Sequence, residues 1–436
     1  MRAGGNRYLA RARLIGMSGK RVRVMAGLVA AGLLAAGCGT ATPGPRPSGL
    51  IRGVAFREPP ASPRPYGSAD TAFGMAVLSK LCQADPHGNQ VLSPASLASG
   101  LGLAYLGARG ATARAMARVL HLPATSGGRL EAGLQARSAA LRRLDGPGVT
   151  VAGSDQVWAD PSLRTDTGYL NAAATGYGAG IRPVPLLHRP ALAAQQINDA
   201  IAATTRGHIT RLVTAQSLNG LGWVLTDALY LHAAWATPFA PAGTKPGPFT
   251  SAAGSRVSAT FMRGGPFGIA EADGWTAAAL PYRGGKLAML ALLPPGGPGG
   301  CQMASPATLG ALTTALAGRA RVTEQIALPR VSLSSQANMN HLLTTLGMGR
   351  AFGPGADFSG LSPQACCIGL VEHAATLKVG EKGTVASAAT AVGVLPTAVA
   401  VPQPAIWFNR PYLLLVQDKA TGEPLFLARV ADPAAH

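Results

Sequence analysis

The sequence predicts an α+β fold in one large domain, with helices dominating the first half, strands the second, and no internal repeat. Apolar residues recur at helical spacing in four segments before residue 206, whereas the later chain holds apolar runs with few charges, separated by glycine turns. Hydrophobic residues make up 47% and charged residues 13% of the 436, enough to fill a core and too apolar for a disordered chain. The 56 Gly and 34 Pro show no G-X-Y period, which excludes collagen.

The chain opens on an address. Basic residues up to Arg23 precede the apolar run Met25–Ala36, which is too short to span a bilayer and ends in small residues, the layout of a secretory signal over 1–37. Leu34-Ala35-Ala36-Gly37-Cys38 resembles a bacterial lipobox, with Ala35 where Leu is usual, so Cys38 is the expected lipidation site and membrane anchor. Export to the outer face of the membrane, or secretion, follows. Residues 38–67, rich in Pro, Gly, Ser and Thr, are expected to form a tether.

The charge of +19 invites a nucleic-acid reading, but seven of the bases lie in residues 1–37, which contain no acid; without them it is 19 − 7 = +12. The rest are scattered, with no run to track a phosphate backbone. The milder inference is a basic surface drawn to anionic lipid or cell-wall polymer. Arg129, Arg137, Arg142 and Arg143 are read as solvated surface charge rather than a polyanion site.

Within the body, Ser68 is placed to cap a helix over Ala69–Gln83, with Phe73, Val77, Leu78 and Leu81 on one face. Pro94 opens a second helix over Ser93–Leu106. Further helices are expected at Thr112–Leu120, Ala194–Thr205 and Met339–Leu346. Trp223–Leu231 reads as a strand in the middle of a sheet. Thr276–Tyr282 and Lys286–Leu293 flank Gly284-Gly285, a turn that needs positive φ, and Leu413–Gln417 and Leu425–Val430 flank another turn at Lys419–Gly422.

Chemistry is scarce. No Ser-x-x-Lys, HExxH or phosphate-cradling glycine loop occurs, and Gly360-Leu361-Ser362-Pro363-Gln364 fails at the last position of the nucleophile elbow. No Cys or His spacing suits a metal, and no cofactor is expected. Cys82, Cys301, Cys366 and Cys367 allow three pairings, none singled out by sequence; free, mostly buried thiols are the expectation.

The informative stretch is chemically blank. Gly383–Val394 (GTVASAATAVGV) has no charge, no proline and no large side chain. By alternation Thr384, Ala386, Ala388 and Thr390 share one face, slender enough to enter a tight sheet interior.

With these residues in view, the chain resembles the serpins over nearly all of 68–432. Asn89–Leu120, Ile197–Val213, Trp223–Phe239 with its Trp235, Leu328–Met348, Ala351–Ser362 (AFGPGADFSGLS), Glu381–Val392 (EKGTVASAATAV) and Phe408–Tyr412 (FNRPY) stand in the family's order. The resemblance implies three β-sheets, eight or nine helices and an exposed reactive-centre loop at about 381–405 in a domain spanning 68–436. It also implies a monomer that is not an enzyme but inhibits serine proteases by loop cleavage and insertion.

Counting from Glu381 places the reactive bond at Thr397–Ala398, preceded by Val394, Leu395 and Pro396, which suits an elastase-like or subtilisin-like protease with a shallow apolar pocket. Glu381, Gly383, Thr384, Ala386, Ala388 and Thr390 map to the hinge. Ser93, Ser96, Asp227 and His373 map to the region where the sheet opens, and Trp235 to its upper end. Asp227 stands where relatives usually have Asn; an acid facing His373 is expected to raise the imidazole pKa, with simple replacement of one acceptor by another as the alternative. Val385 replaces a common Glu, and Tyr412 the usual Phe. A non-inhibitory surface binding module is the second reading.

Overall fold

The structure, a computed structural model, describes residues 49–124, 128–297, 300–318, 322–384 and 404–435, apart from the side chains of 153–155, 227, 228 and 322. Cys38, Ala386, Ala388, Thr390, Val394, Leu395, Pro396, Thr397 and Ala398 lie outside the described residues.

The helical block comprises α1 (Arg64–Ala84), α2 (Pro94–Gly107), α3 (Gly110–Val119) and α4 (Gly128–Arg142), with the short strand β1 (Gln90–Leu92) between the first two. There follow β2 (Val149–Ala159), α5 (Thr167–Tyr177), β3 (Ile181–Pro183), α6 (Pro190–Thr204) and β4 (Trp223–Ala234). Strands β5 (Lys245–Thr250), β6 (Arg256–Ala272), β7 (Trp275–Pro281) and β8 (Leu287–Leu293) lead to α7 (Pro306–Ala317), β9 (Val322–Pro329), β10 (Val331–Asn338) and α8 (Asn340–Leu343). The chain ends with β11 (Glu372–Gly380), β12 (Gly383–Thr384), β13 (Ile406–Trp407), β14 (Tyr412–Asp418) and β15 (Pro424–Val430).

One sheet has six strands in the order β10-β11-β12-β4-β2-β3. The other strands form a path that β6 divides in two. Its first half pairs with β5, its second with β7, and its register against β9 shifts between Gly264 and Phe267. This makes the expected three sheets, two of them joined through β6. The main core lies between the six-stranded sheet and the longer path, where Leu231, Leu333, Leu377 and Val379 meet Met289, Leu414 and Val416. Strand β11 shows why sequence alternation works: His373, Ala375, Leu377 and Val379 are buried, and the residues between them are not.

Pro94 opens α2 as expected, with Ser93 Oγ accepting from Ser96 N at 3.2 Å as its cap, and Gly284 and Gly285 both have the positive φ their turn requires. Other expectations are corrected. Helix α1 begins at Arg64 with Pro65 in its first turn, so Ser68 does not cap it. The later part of the tether lies against the body: Ile51 exchanges two 2.8 Å backbone bonds with Ile181, and Val54 N and Phe56 N donate to side chains of α5. Backbone groups in an irregular segment still need partners, and here the edge of β3 supplies some. Cys82 and Cys301 are joined in a disulfide between α1 and the loop before α7, and Cys366 and Cys367 are free and exposed, so neither pair fits the expected buried thiols.

Arg137 is also not solvated. It is 3% exposed, donates to Asp70 Oδ2 (2.7 Å), Glu423 Oε1 (2.6 Å), Ser99 Oγ (2.8 Å) and Ala95 O (2.9 Å), and so ties α1, α2, α4 and the β14–β15 turn together. Burial drives the Glu423 carboxyl well above its ordinary pKa against the pull of Arg137. Arg129, Arg142 and Arg143 are exposed, as expected.

Candidate functional site

The hinge begins inside the six-stranded sheet. Gly383 and Thr384, both buried, pair antiparallel with β11 on one side (Gly380↔Gly383, Val379↔Thr384) and with β4 on the other (Gly383↔Ala234, Thr384↔Ala233). Strands β4 and β11 have no ladder with each other among the described residues. The two hinge residues are thus the first rung of a strand position between two long neighbours.

Gly383 is required at this rung. Its φ is +151°, and an added Cβ would lie 2.1 Å from Ala233 O and 2.8 Å from Ala234 Cα. Thr384 Oγ1 is hydrogen-bonded to the buried Tyr282 hydroxyl, and the Tyr282 ring stacks on Trp235 with centroids 4.4 Å apart. Trp235 Nε1 donates to Gly380 O at 2.8 Å. Its backbone N donates to Lys382 O, and Phe239 N to Glu381 O, each at 2.9 Å. Two aromatic rings and three donors therefore fix the turn from β11 into β12. Burial pushes the Tyr282 hydroxyl far above its ordinary pKa, so it is a permanent hydrogen-bonding group here.

Glu381 anchors the base of the hinge. Arg330 Nε donates to its Oε1 at 2.7 Å, Arg330 Nη2 contacts the same oxygen, and Thr244 Oγ1 donates to it at 2.7 Å. Partial burial raises the Glu381 pKa, but the bonds from Arg330 and Thr244 and the Arg330 charge outweigh it, leaving the carboxyl below its ordinary value. Sequence inspection missed Thr244, Tyr282 and Arg330. Their partners lie 137, 102 and 51 residues away, so no local spacing could have marked them.

At the other end of the sheet, His373 is buried and its Nε2 accepts from Ser93 N at 3.1 Å. Ser93, Ser96 and His373 are thus neighbours; the Asp227 side chain lies outside those described. Burial lowers the His373 pKa to about 4, opposite to the expected rise, because desolvation of the imidazolium dominates. Below the strand position a cleft opens, lined by Ser96, Leu101, Leu225, Ile368, Val371 and His373. The fold therefore offers an entry point at the top, a buried neutral imidazole near the bottom, and two strands that a third can separate.

Residues 68–433 match the family model described as Serpin (serine protease inhibitor). A serpin-like protein of Thermococcus kodakarensis is 30% identical over 374 residues, covering 85% of this chain and 86% of that relative. The leukocyte elastase inhibitor of Bos taurus is 28% identical, with 84% and 99% covered. Among solved structures, the native thermophilic serpin tengpin aligns with a TM-score of 0.70 at 22% identity (88% and 97% covered). Thyroxine-binding globulin in complex with thyroxine aligns equally, at 0.70 and 22% (85% and 99% covered). The hinge and the strand position between β11 and β4 define the architecture of a protein class. This chain belongs to the serpin family, whose members are generally protease inhibitors.

Proposed function

We propose that this protein is an exported monomeric serpin that inhibits elastase-like or subtilisin-like serine proteases as a suicide substrate. The protease serine attacks the carbonyl of Thr397, giving an acyl-enzyme and freeing Ala398 as a new amino terminus. The segment after Thr384 then continues the rung begun by Gly383 and Thr384, moving between β11 and β4 with the protease attached. Distortion of the protease prevents hydrolysis of the ester. The observation that carries this reading is the hinge pair already hydrogen-bonded to both flanking strands, with Gly383 at a point where no side chain fits.

The sequence beyond the hinge supports it. About ten further backbone bonds, at roughly 0.5–1.5 kcal/mol each, make insertion favourable by on the order of 10 kcal/mol. A buried charge would subtract several kcal/mol and a proline would delete a ladder bond; Gly383–Leu395 contains neither. The small β-branched Thr397 after Pro396 suits a shallow apolar specificity pocket and offers no cation to a trypsin-like enzyme. Lipidation of Cys38 would hold the inhibitor at the membrane surface.

Incubation with a panel of elastase-like and subtilisin-like proteases tests the proposal. The expected product is an SDS-stable complex, with a peptide beginning at Ala398 released on denaturation. Cleavage with multiple turnover and no complex would refute inhibition. Thyroxine-binding globulin, a ligand carrier by its name, keeps the binding-module reading in play; under it, loop cleavage leaves thermal stability unchanged instead of raising it.

A further inference from the structure

The loop feeding β11 carries two thiols that the proposed function does not use. Cys366 and Cys367 are adjacent, exposed and free, with their Sγ atoms 2.8 Å apart, well inside van der Waals contact. The backbone around them is held on both sides. Gln364 N donates to Ser362 Oγ at 3.1 Å, Ile368 N to Ala351 O at 2.9 Å, and Asn340 engages both Gly369 O and Val371 N. The loop therefore presents the two sulfurs to each other.

Adjacent Cα atoms lie about 3.8 Å apart across a trans peptide, less than the roughly 4.4–6.8 Å spanned by relaxed disulfides. A Cys366–Cys367 bond would be strained and solvent-accessible, the combination that makes a disulfide easily reduced. The Cys82–Cys301 bond differs, with Cα atoms 5.7 Å apart and Cys82 fully buried. Partial burial, with the adjoining Cys366 sulfur adding to it, pushes the Cys367 thiol up to about 11.

We propose that Cys366 and Cys367 form a reversible dithiol–disulfide site that reacts with small-molecule disulfides and resets the loop entering β11. The thiolate of one cysteine attacks one sulfur of the donor disulfide, forming a mixed disulfide and releasing one thiol. The other cysteine, its proton passing to solvent, displaces the second thiol and closes the Cys366–Cys367 bond. The two cysteines are oxidised and the donor is reduced to two thiols. Ring closure reorients the peptide between them, and the next residue, Ile368, lines the cleft below the strand position together with Val371 and His373.

The full-length protein, treated with a mild thiol under native conditions and then with glutathione disulfide, provides the test. The expected peptide spanning both cysteines has lost two hydrogens, carries no glutathione, and recovers its mass with dithiothreitol. The Cys366→Ser and Cys367→Ser variants, both at exposed positions, should stop at one retained glutathione or fail to react. Two glutathiones retained on the wild-type peptide, no reaction, or a disulfide-linked dimer would overturn the site. On oxidation, amide exchange at Ile368 and Val371 should shift several-fold; unchanged exchange in the ring-closed form would overturn the coupling to β11. Neither readout depends on inhibition of a protease.

Discussion

Acidification should weaken this fold through one buried imidazole. The ordinary His pKa of 6.5 falls to about 4 at His373, because burial disfavours the charged form. A group whose folded pKa is depressed contributes stability that is complete above its unfolded pKa and is lost as the pH drops through the folded one. The window therefore runs from pH 6.5 down to about 4. At about 1.4 kcal/mol per pH unit, roughly 3 kcal/mol depends on His373 remaining neutral. Protonation also removes the acceptor for Ser93 N, since both nitrogens of an imidazolium are donors. Urea midpoints between pH 7 and 4 should fall more steeply for the wild type than for His373→Gln, whose side-chain oxygen can still accept from Ser93. Subtracting the variant's profile removes other groups that titrate nearby, such as His208 and Glu381, whose pKa values are also lowered. Parallel profiles for the two proteins would refute the reasoning.

Three further outcomes are expected. Gly383→Val should force the hinge from its rung at a cost of about 1–3 kcal/mol, read as a roughly fivefold or greater fall in the rate of stable complex formation; an unchanged rate would separate the rung from function. Arg137→Met strands two buried carboxyls, and breaking such a cluster costs about 3–5 kcal/mol; a urea midpoint within error of the wild type would show that the cluster contributes little. Tyr412→Phe removes a buried hydroxyl that has no partner among the described residues, and should raise the melting temperature by an amount corresponding to about 1 kcal/mol; a lower melting temperature would reveal a bond that the structure does not show.

How much of this was legible beforehand varies with the range of the interaction. The helix opened by Pro94, the Gly-Gly hairpin and the apolar strand at Trp223 could be read directly, because a first-turn proline, a turn and a hydrophobic period are each fixed within a few residues. The slender, uncharged composition after Glu381 likewise appears in the residues alone, since what a strand cannot carry into a tight sheet is a matter of side-chain size and charge. The tertiary structure decided the rest. It put Arg330 and Thr244 on Glu381, and Tyr282 on Thr384, from 51 to 137 residues away. It paired Cys82 with Cys301 across 219 residues, left Cys366 and Cys367 free and exposed, and made Arg137 the centre of a buried cluster. It also reversed the expected shift of His373. Whether burial or a neighbouring charge prevails depends on which atoms surround the ring, and that environment is assembled by contacts distant in sequence that no local pattern encodes.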